Sequence, residues 1–346
     1  MAAPSETDML TKLNITTPGD DEMVRIADDL LWFRFRLPFR LNHINLFALD
    51  TDDGWMLVDC GINNDEIGAQ WDAILPQLQR QKPVAGIIVT HHHADHIGYA
   101  GQLADRTGAT IHIGQVEHDM ARWALAQSED SFAAIAAGTY ANFGLPQALV
   151  TRTTKVGNYY RKLVSDFPKA EIITTDSLFH TTAGRWKVRF DAGHAPGHLG
   201  LYDPDRRLYI AIDFLLGRIS PNISVSLRSI ELDMLGHYYK YLSQMLSLDN
   251  EWLIIPGHDW PYFGGGIRAA ELIEHHNSRL QLLRDAASNA GPLSTADAMR
   301  VLFAFDLTDH ELYFASCEAR AHLNHLVTRD EMRIEQVAGI DYFHNN

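Results

Sequence analysis

The chain has 346 residues, enough for two to three domains or for one large domain with an appendage. With 46% hydrophobic and 21% charged residues it has an ordinary globular balance, which excludes disordered, collagenous and low-complexity classes. Its 29 Lys+Arg against 44 Asp+Glu leave a net charge of −15, which argues against nucleic acid or an anionic membrane as partner, because both are bound through clustered cations.

Residues 1–22 are polar and read as a flexible N-terminus. They carry neither the basic segment nor the apolar core of a secretory signal, and no apolar run approaches the ~18 residues of a membrane span. The two cysteines, Cys60 and Cys317, are too few for a disulfide framework. The expectation is a cytoplasmic protein. Apolar, strand-forming runs follow at Leu30–Leu37, Leu41–Leu49 and Trp55–Asp59. Residues 64–82 read as a helix with Pro76 near its end, and Val84–Thr90 as a buried strand that runs into a histidine cluster. A helix over 98–106 and a strand at Thr110–Ile113 complete an α/β alternation.

Residues 115–168 have few strand signals and read as a helical insertion. Its Trp123, Phe132, Tyr140, Phe143, Tyr159 and Tyr160 would either line a pocket mouth or fasten the insertion to the sheet. Strands resume at Glu171–Thr174, Trp186–Asp191, Leu199–Tyr202 and Arg207–Ile212, then come a helix over 231–247 and a strand at Trp252–Ile255. Gly264-Gly-Gly266 marks a boundary between a unit over 23–265 and a tail over 266–346. The tail reads as a helix over 267–289, a cap at Ser294 or Thr295, helices over 295–304 and 309–327, and a β-wing from Met332–Val337 and Ile340–His344.

Histidine is unusually abundant, at 18 residues, and it gathers at strand ends. Thr90-His91-His92-His93-Ala94-Asp95-His96 contains His-x-His-x-Asp-His directly after a strand. On an extended segment residues i and i+2 project to one side, so His91 and His93 can share one cation while Asp95 and His96 turn toward another. Neutral imidazoles with a carboxylate suit zinc, and also iron or manganese, better than calcium. Three later strand ends carry the same residue types: His194-Ala-Pro-Gly-His198, Asp213 and Pro256-Gly-His258. Together they supply donors for two metals, with His91, His93 and His198 on one, Asp95, His96 and His258 on the other, and Asp213 bridging. His92 should point away from the donors, and His194 is a further candidate for supporting the site. His43, His275, His276, Asn222 and Tyr238, Tyr239 and Tyr241 read as structural residues. Asp259 would hold an imidazole N–H or cap its turn.

These motifs, in this order, resemble the metallo-β-lactamase superfamily over residues 25–262, including Asp59 with Gly61. The His275-His276 pair, Arg279 and Ala321-His-Leu-Asn-His-Leu326 resemble the C-terminal winged-helix piece of its lactamase-β-like-protein-2 group. The resemblance implies an αββα sandwich with a dinuclear, usually zinc, site between two sheets. It carries over His91, His93, Asp95, His96, His198, Asp213 and His258 as ligands and Asp59 as a residue that orients one of them. Two positions depart from the family pattern: Tyr99 stands where a second glycine is common, and Ile212 where a glycine commonly precedes the bridging aspartate.

A dinuclear site of this kind makes hydroxide near neutral pH, and Asp95 is the residue to position it and to move its proton. The reaction class is hydrolysis of an acyl bond in a small to mid-sized thioester, ester or lactone, resembling hydroxyacylglutathione hydrolases (glyoxalase II) and acyl-homoserine lactonases. The competing readings are a sulfur-dioxygenase-like oxidoreductase with one iron, an endonuclease, a β-lactamase and a non-catalytic binding module. The tail over 267–346 has 7 Arg, no Lys and 12 Asp+Glu, so it should shape the pocket or form a homodimer contact rather than bind nucleic acid.

Overall fold

The computed structural model describes residues 10–346 apart from 168 and 304–306. Residues 1–9 and the end of the helix expected over 295–304 lie outside the described residues. Strands β1 (Thr11–Lys12), β2 (Val24–Ala27), β3 (Leu30–Arg36), β4 (His43–Thr51) and β5 (Gly54–Val58) precede helix α1 (Asp65–Gln79). Strand β6 (Val84–Val89) leads into α2 (Ala94–Ile97), α3 (Ala100–Thr107) and β7 (Thr110–Gly114). The insertion is α4 (Gln115–Ala126), α5 (Glu129–Asn142), α6 (Gln147–Thr154) and α7 (Tyr160–Leu163). Then come β8 (Glu171–Ile173), β9 (Leu178–His180), β10 (Arg185–Asp191), β11 (His198–Asp203) and β12 (Leu208–Ile212), followed by α8 (Met234–Met245), β13 (Leu253–Pro256) and β14 (Tyr262–Phe263). The tail holds α9 (Gly265–Ala290), β15 (Leu293–Ser294), α10 (Thr295–Leu302), α11 (Asp309–Thr328), β16 (Met332–Val337) and β17 (Ile340–Asn345).

The strands form two seven-stranded sheets, in the orders β2-β3-β4-β5-β6-β7-β8 and β1-β14-β13-β12-β11-β10-β9, and a small sheet β15-β17-β16. Period-2 alternation builds the layers. Along β3, Leu31, Phe33 and Phe35 face the core under α1 and α3, while Leu30 and Trp32 face the second sheet. Along β12, Ile210 and Ile212 face the first sheet, while Tyr209 and Ala211 face α8 and the tail. Every face is covered, so these strands read as near-continuous apolar runs, and the result is the four-layer αββα sandwich.

Part of the segment expected to be flexible is tied down. Thr11 and Lys12 pair with Phe263 and Tyr262 at the edge of the second sheet. Gly264 takes a left-handed φ of 98° where the chain enters α9. Ser294 caps α10 through a capping box with Asp297. The insertion and the tail share one core: Tyr140, Phe143 and Leu145 lie buried with Leu283, Ala296 and Leu323. Of the two uses open to the insertion's aromatics, Tyr140 and Phe143 therefore serve attachment. Among the described residues no helix is long and apolar enough to cross a membrane.

Candidate metal centre

The candidate ligands sit where strands end between the two sheets. In the first sheet β5 ends at Asp59 and β6 runs parallel beside it into Thr90 and the histidine motif. Asp59 takes a left-handed φ of 62°, which turns its buried carboxylate back onto β6. Its Oδ1 accepts from the Thr90 amide at 2.9 Å, and its Oδ2 accepts from Thr90 Oγ1 and His96 Nδ1, each at 2.8 Å. That bond leaves His96 Nε2 as the free ring nitrogen.

In the second sheet β12 and β13 are parallel neighbours and deliver Asp213 and His258. His258 Nδ1 lies 2.8 Å from the His43 carbonyl, and His194 Nδ1 lies 2.8 Å from the Asn222 carbonyl. Each carbonyl takes the N–H of Nδ1 and turns Nε2 inward. Glycine in Pro256-Gly-His258 follows from the same geometry, since a Cβ on Gly257 would stand 2.5 Å from Asp213 Oδ1. Ile212 holds a left-handed φ of 49° to aim Asp213, which is the physical reason a glycine is common there. Tyr99, at the other departure, lies in the core beneath the first sheet, with its hydroxyl 3.3 Å from Arg106 Nη1.

Three groups of donors have ligand atoms within 4.8 Å of one another: His91, His93 and His194; His91, His96 and Asp213; and Asp95, His96 and His258. Asp213 Oδ2 joins them, at 3.5 Å from His194 Nε2, 3.5 Å from His96 Nε2 and 3.3 Å from His258 Nε2. Asp95 Oδ2 stands 3.6 Å from His96 Nε2 and 3.5 Å from His258 Nε2. Six of the seven expected ligands are in these groups, and His194 joins them beside His91 and His93. The seventh, His198, lies next to them, its ring centroid 4.8 Å from that of His91 and its Nε2 buried without a partner. His198 begins β11 opposite Asp191, and its ring lies against Phe214, 4.4 Å between centroids.

The electrostatics of the site divide by position. Burial lowers the pKa of His91 and His93 well below the usual histidine value, and neighbouring histidines add to the effect. Burial also lowers His194, against the pull of Asp213. Burial would lower His96 and His258 as well, but nearby carboxylates, Asp213 first, outweigh it and raise both. The same two histidines hold Asp213 well below the ordinary carboxylate value despite its burial. His96, His194, His198 and His258 Nε2 and Asp213 Oδ1 are buried without a hydrogen-bond partner. Orphaned acceptors at this density are costly unless a cation takes them, so the donor set fits divalent metal.

The supporting residues differ from expectation in several places. His92 points away from the donors, but its Nδ1 lies 2.5 Å from the buried carboxylate of Glu117 in α4. An acid in the first turn of a helix reads as an ordinary complement to the helix dipole, so the sequence did not single Glu117 out. Asn222 holds His194 with its backbone, a role no side-chain pattern encodes, and its Nδ2 donates to Glu318 Oε2 in α11 at 3.1 Å. His43 supports the site, its Nε2 accepting from the Asp259 amide at 2.8 Å. Asp259 pairs with Arg218, 2.9 Å, rather than with an imidazole. Tyr238, Tyr239 and Tyr241 bond Phe214, Asn277 and Tyr209 and are structural.

Residues 40–258 match the sequence profile of the metallo-β-lactamase superfamily. The chain belongs to the metallo-β-lactamase superfamily. Residues 280–346 match the profile of a metallo-β-lactamase-like C-terminal domain. A β-lactamase domain protein from Burkholderia ambifaria is similar in structure, with 30% identity, 97% of this chain and 98% of the other covered, and a TM-score of 0.89. A metallo-β-lactamase family protein from Thermus thermophilus matches at 22% identity, 93% and 100% coverage and a TM-score of 0.77. A stereoselective inverting sec-alkylsulfatase from Pseudomonas sp. shares the fold at 15% identity, 91% and 53% coverage and a TM-score of 0.53. No curated protein matches the chain. Members of this superfamily are generally metal-dependent hydrolases, and the His/Asp cluster of this one can bind metal.

Proposed function

We propose that this chain hydrolyses an acyl bond, in a small to mid-sized thioester, ester or lactone, at a pair of zinc ions, with iron or manganese as the alternative metals. The observation that carries the reading is the position of Asp213 Oδ2, 3.5 Å from His194 Nε2 of one donor group and 3.3 Å from His258 Nε2 of another. One group is His91, His93 and His194, with His198 beside it, another is Asp95, His96 and His258, and Asp213 stands between them. Bound divalent ions supply Lewis acidity and a water acidified toward neutral pH.

The protein residues do the rest. The Nδ1–H bonds of His96, His194 and His258 orient their rings so that each Nε2 faces the donor cluster, where a bound metal would take it. Asp95 differs from the buried donors in being partly open, with its side chain 22% exposed. That opening lets its carboxylate orient the attacking water, take its proton and pass it to the leaving group. The sequence has no Gly-x-Ser-x-Gly segment, and the reading needs no protein nucleophile.

The test is elemental analysis of the purified chain with a screen of thioester, ester, lactone, β-lactam and nucleic-acid substrates. About two zinc per chain with acyl hydrolysis is expected. One iron with oxygen consumption, or cleavage of β-lactam or nucleic acid alone, would overturn the assignment.

A further inference from the structure

We propose that Glu117, in the first turn of the helical insertion, is a positioning residue that sets the geometry of the His91, His93 and His194 group. The inference rests on reading that group as a metal site. Glu117 is fully buried, and its two oxygens serve two different loops. Oε2 accepts from the His92 amide at 2.9 Å and lies 2.5 Å from His92 Nδ1. Oε1 accepts from the Gly197 amide at 2.6 Å. One carboxylate therefore ties the motif loop of the first sheet to the loop of the second sheet that carries His194.

The tie acts on the donors through simple backbone geometry. His93 has extended dihedrals, φ −62° and ψ 143°, and in extended backbone successive side chains project to opposite sides. Anchoring the His92 ring on one side therefore directs His91 and His93 to the other. The third atom of the anchor comes from α7, where Tyr160 Oη donates to the His92 carbonyl at 2.6 Å. The ring, amide and carbonyl of His92 are thus all held by the insertion. The second loop is held as closely. Gly197 approaches α4 so tightly that a Cβ there would stand 2.6 Å from Val116 Cβ. Apart from Glu117, a backbone bond from Leu199 to Thr90, 2.9 Å, links the same two segments. Residues of this kind act through the ligands they orient, and their removal usually costs about 10–100-fold in metal affinity.

The test uses the full chain, with metal affinity measured by chelator competition and the visible spectrum of the cobalt-substituted protein as a report on coordination. Glu117→Gln keeps the shape but replaces one acceptor by an NH2 that faces N–H donors. It should weaken one of the two ions about 10–100-fold, leave the other unchanged and alter the cobalt spectrum. Tyr160→Phe removes a single hydrogen bond and should weaken the same ion about five-fold. It decides the matter if the Glu117 variant fails to fold. Retention of both ions at wild-type affinity in these variants, or equal weakening of both ions, overturns the clamp. A wild-type chain that binds fewer than two ions overturns the metal-site reading and the clamp with it.

Discussion

His194 and His198 lie four residues apart around one Pro-Gly turn, and each ends in a buried Nε2 without a hydrogen-bond partner. His194 follows the end of β10, is held at Nδ1 by the Asn222 carbonyl and presents Nε2 to Asp213. His198 is already in β11 and lies against Phe214. The order of the motifs named His198 as the ligand and left His194 as a supporting residue, since residue type alone does not show that the loop also turns His194 Nε2 onto Asp213. Each ring has a buried Nε2 without a partner beside His91, so His194→Ala and His198→Ala should each lose one ion and about 100-fold or more in turnover. Elemental analysis of the two variants checks this. Asp95→Ala should fall in turnover by ~10²-fold or more, since it combines the roles of ligand and proton carrier. Steady-state rates at matched metal loading measure the loss.

Strand ends, rather than strands, decide how the donors converge. The apolar alternation of β3, β4, β12 and β13 was legible, because each face of those strands meets its own core. The strand expected over 41–49 runs instead from His43 to Thr51, since Leu37 to Asn42 closes as a loop through a 3.0 Å backbone bond. The left-handed turn at Ile212 was not legible from its residue type, because a β-branched side chain disfavours positive φ. The insertion was visible as an interruption, but its aromatics fit a lid and a buried joint equally until Tyr140 and Phe143 are seen against the tail. At the end of β13, Gly257 leaves room for Asp213, and a Cβ would stand 2.5 Å from Asp213 Oδ1. Gly257→Ala should therefore displace the shared carboxylate and cost about 1–3 kcal/mol. A fall in bound metal larger than the fall in Tm would locate the damage at the site.

At the scale of the molecule, the tail is joined to the αββα sandwich through buried polar groups as well as through the shared core. Glu318 of α11 accepts from Asn222 Nδ2 and pairs with Arg279 of α9 at 3.2 Å. Burial pushes its carboxyl up to about 7 against the pull of Arg279. A folded value above the ordinary 4.5 means that its contribution to stability is present below that pH and is lost as pH rises through about 7. Glu318→Gln should flatten this loss, worth up to about 3 kcal/mol, between those limits. Denaturant titrations of both proteins across the interval measure it.

The donors proposed for each ion come from both halves of the sandwich: His91, His93, Asp95 and His96 from the first sheet, and His194, Asp213 and His258 from the second. An ion held this way is a removable cross-link between segments more than a hundred residues apart in the chain. Free metal then becomes a thermodynamic variable of folding. At a free concentration 1,000 times Kd, each ion adds about 4 kcal/mol to the native state by mass action. Tm should rise with the logarithm of metal concentration and drop on chelation. A protein made where metal is scarce would reach its working rigidity only when the ions arrive.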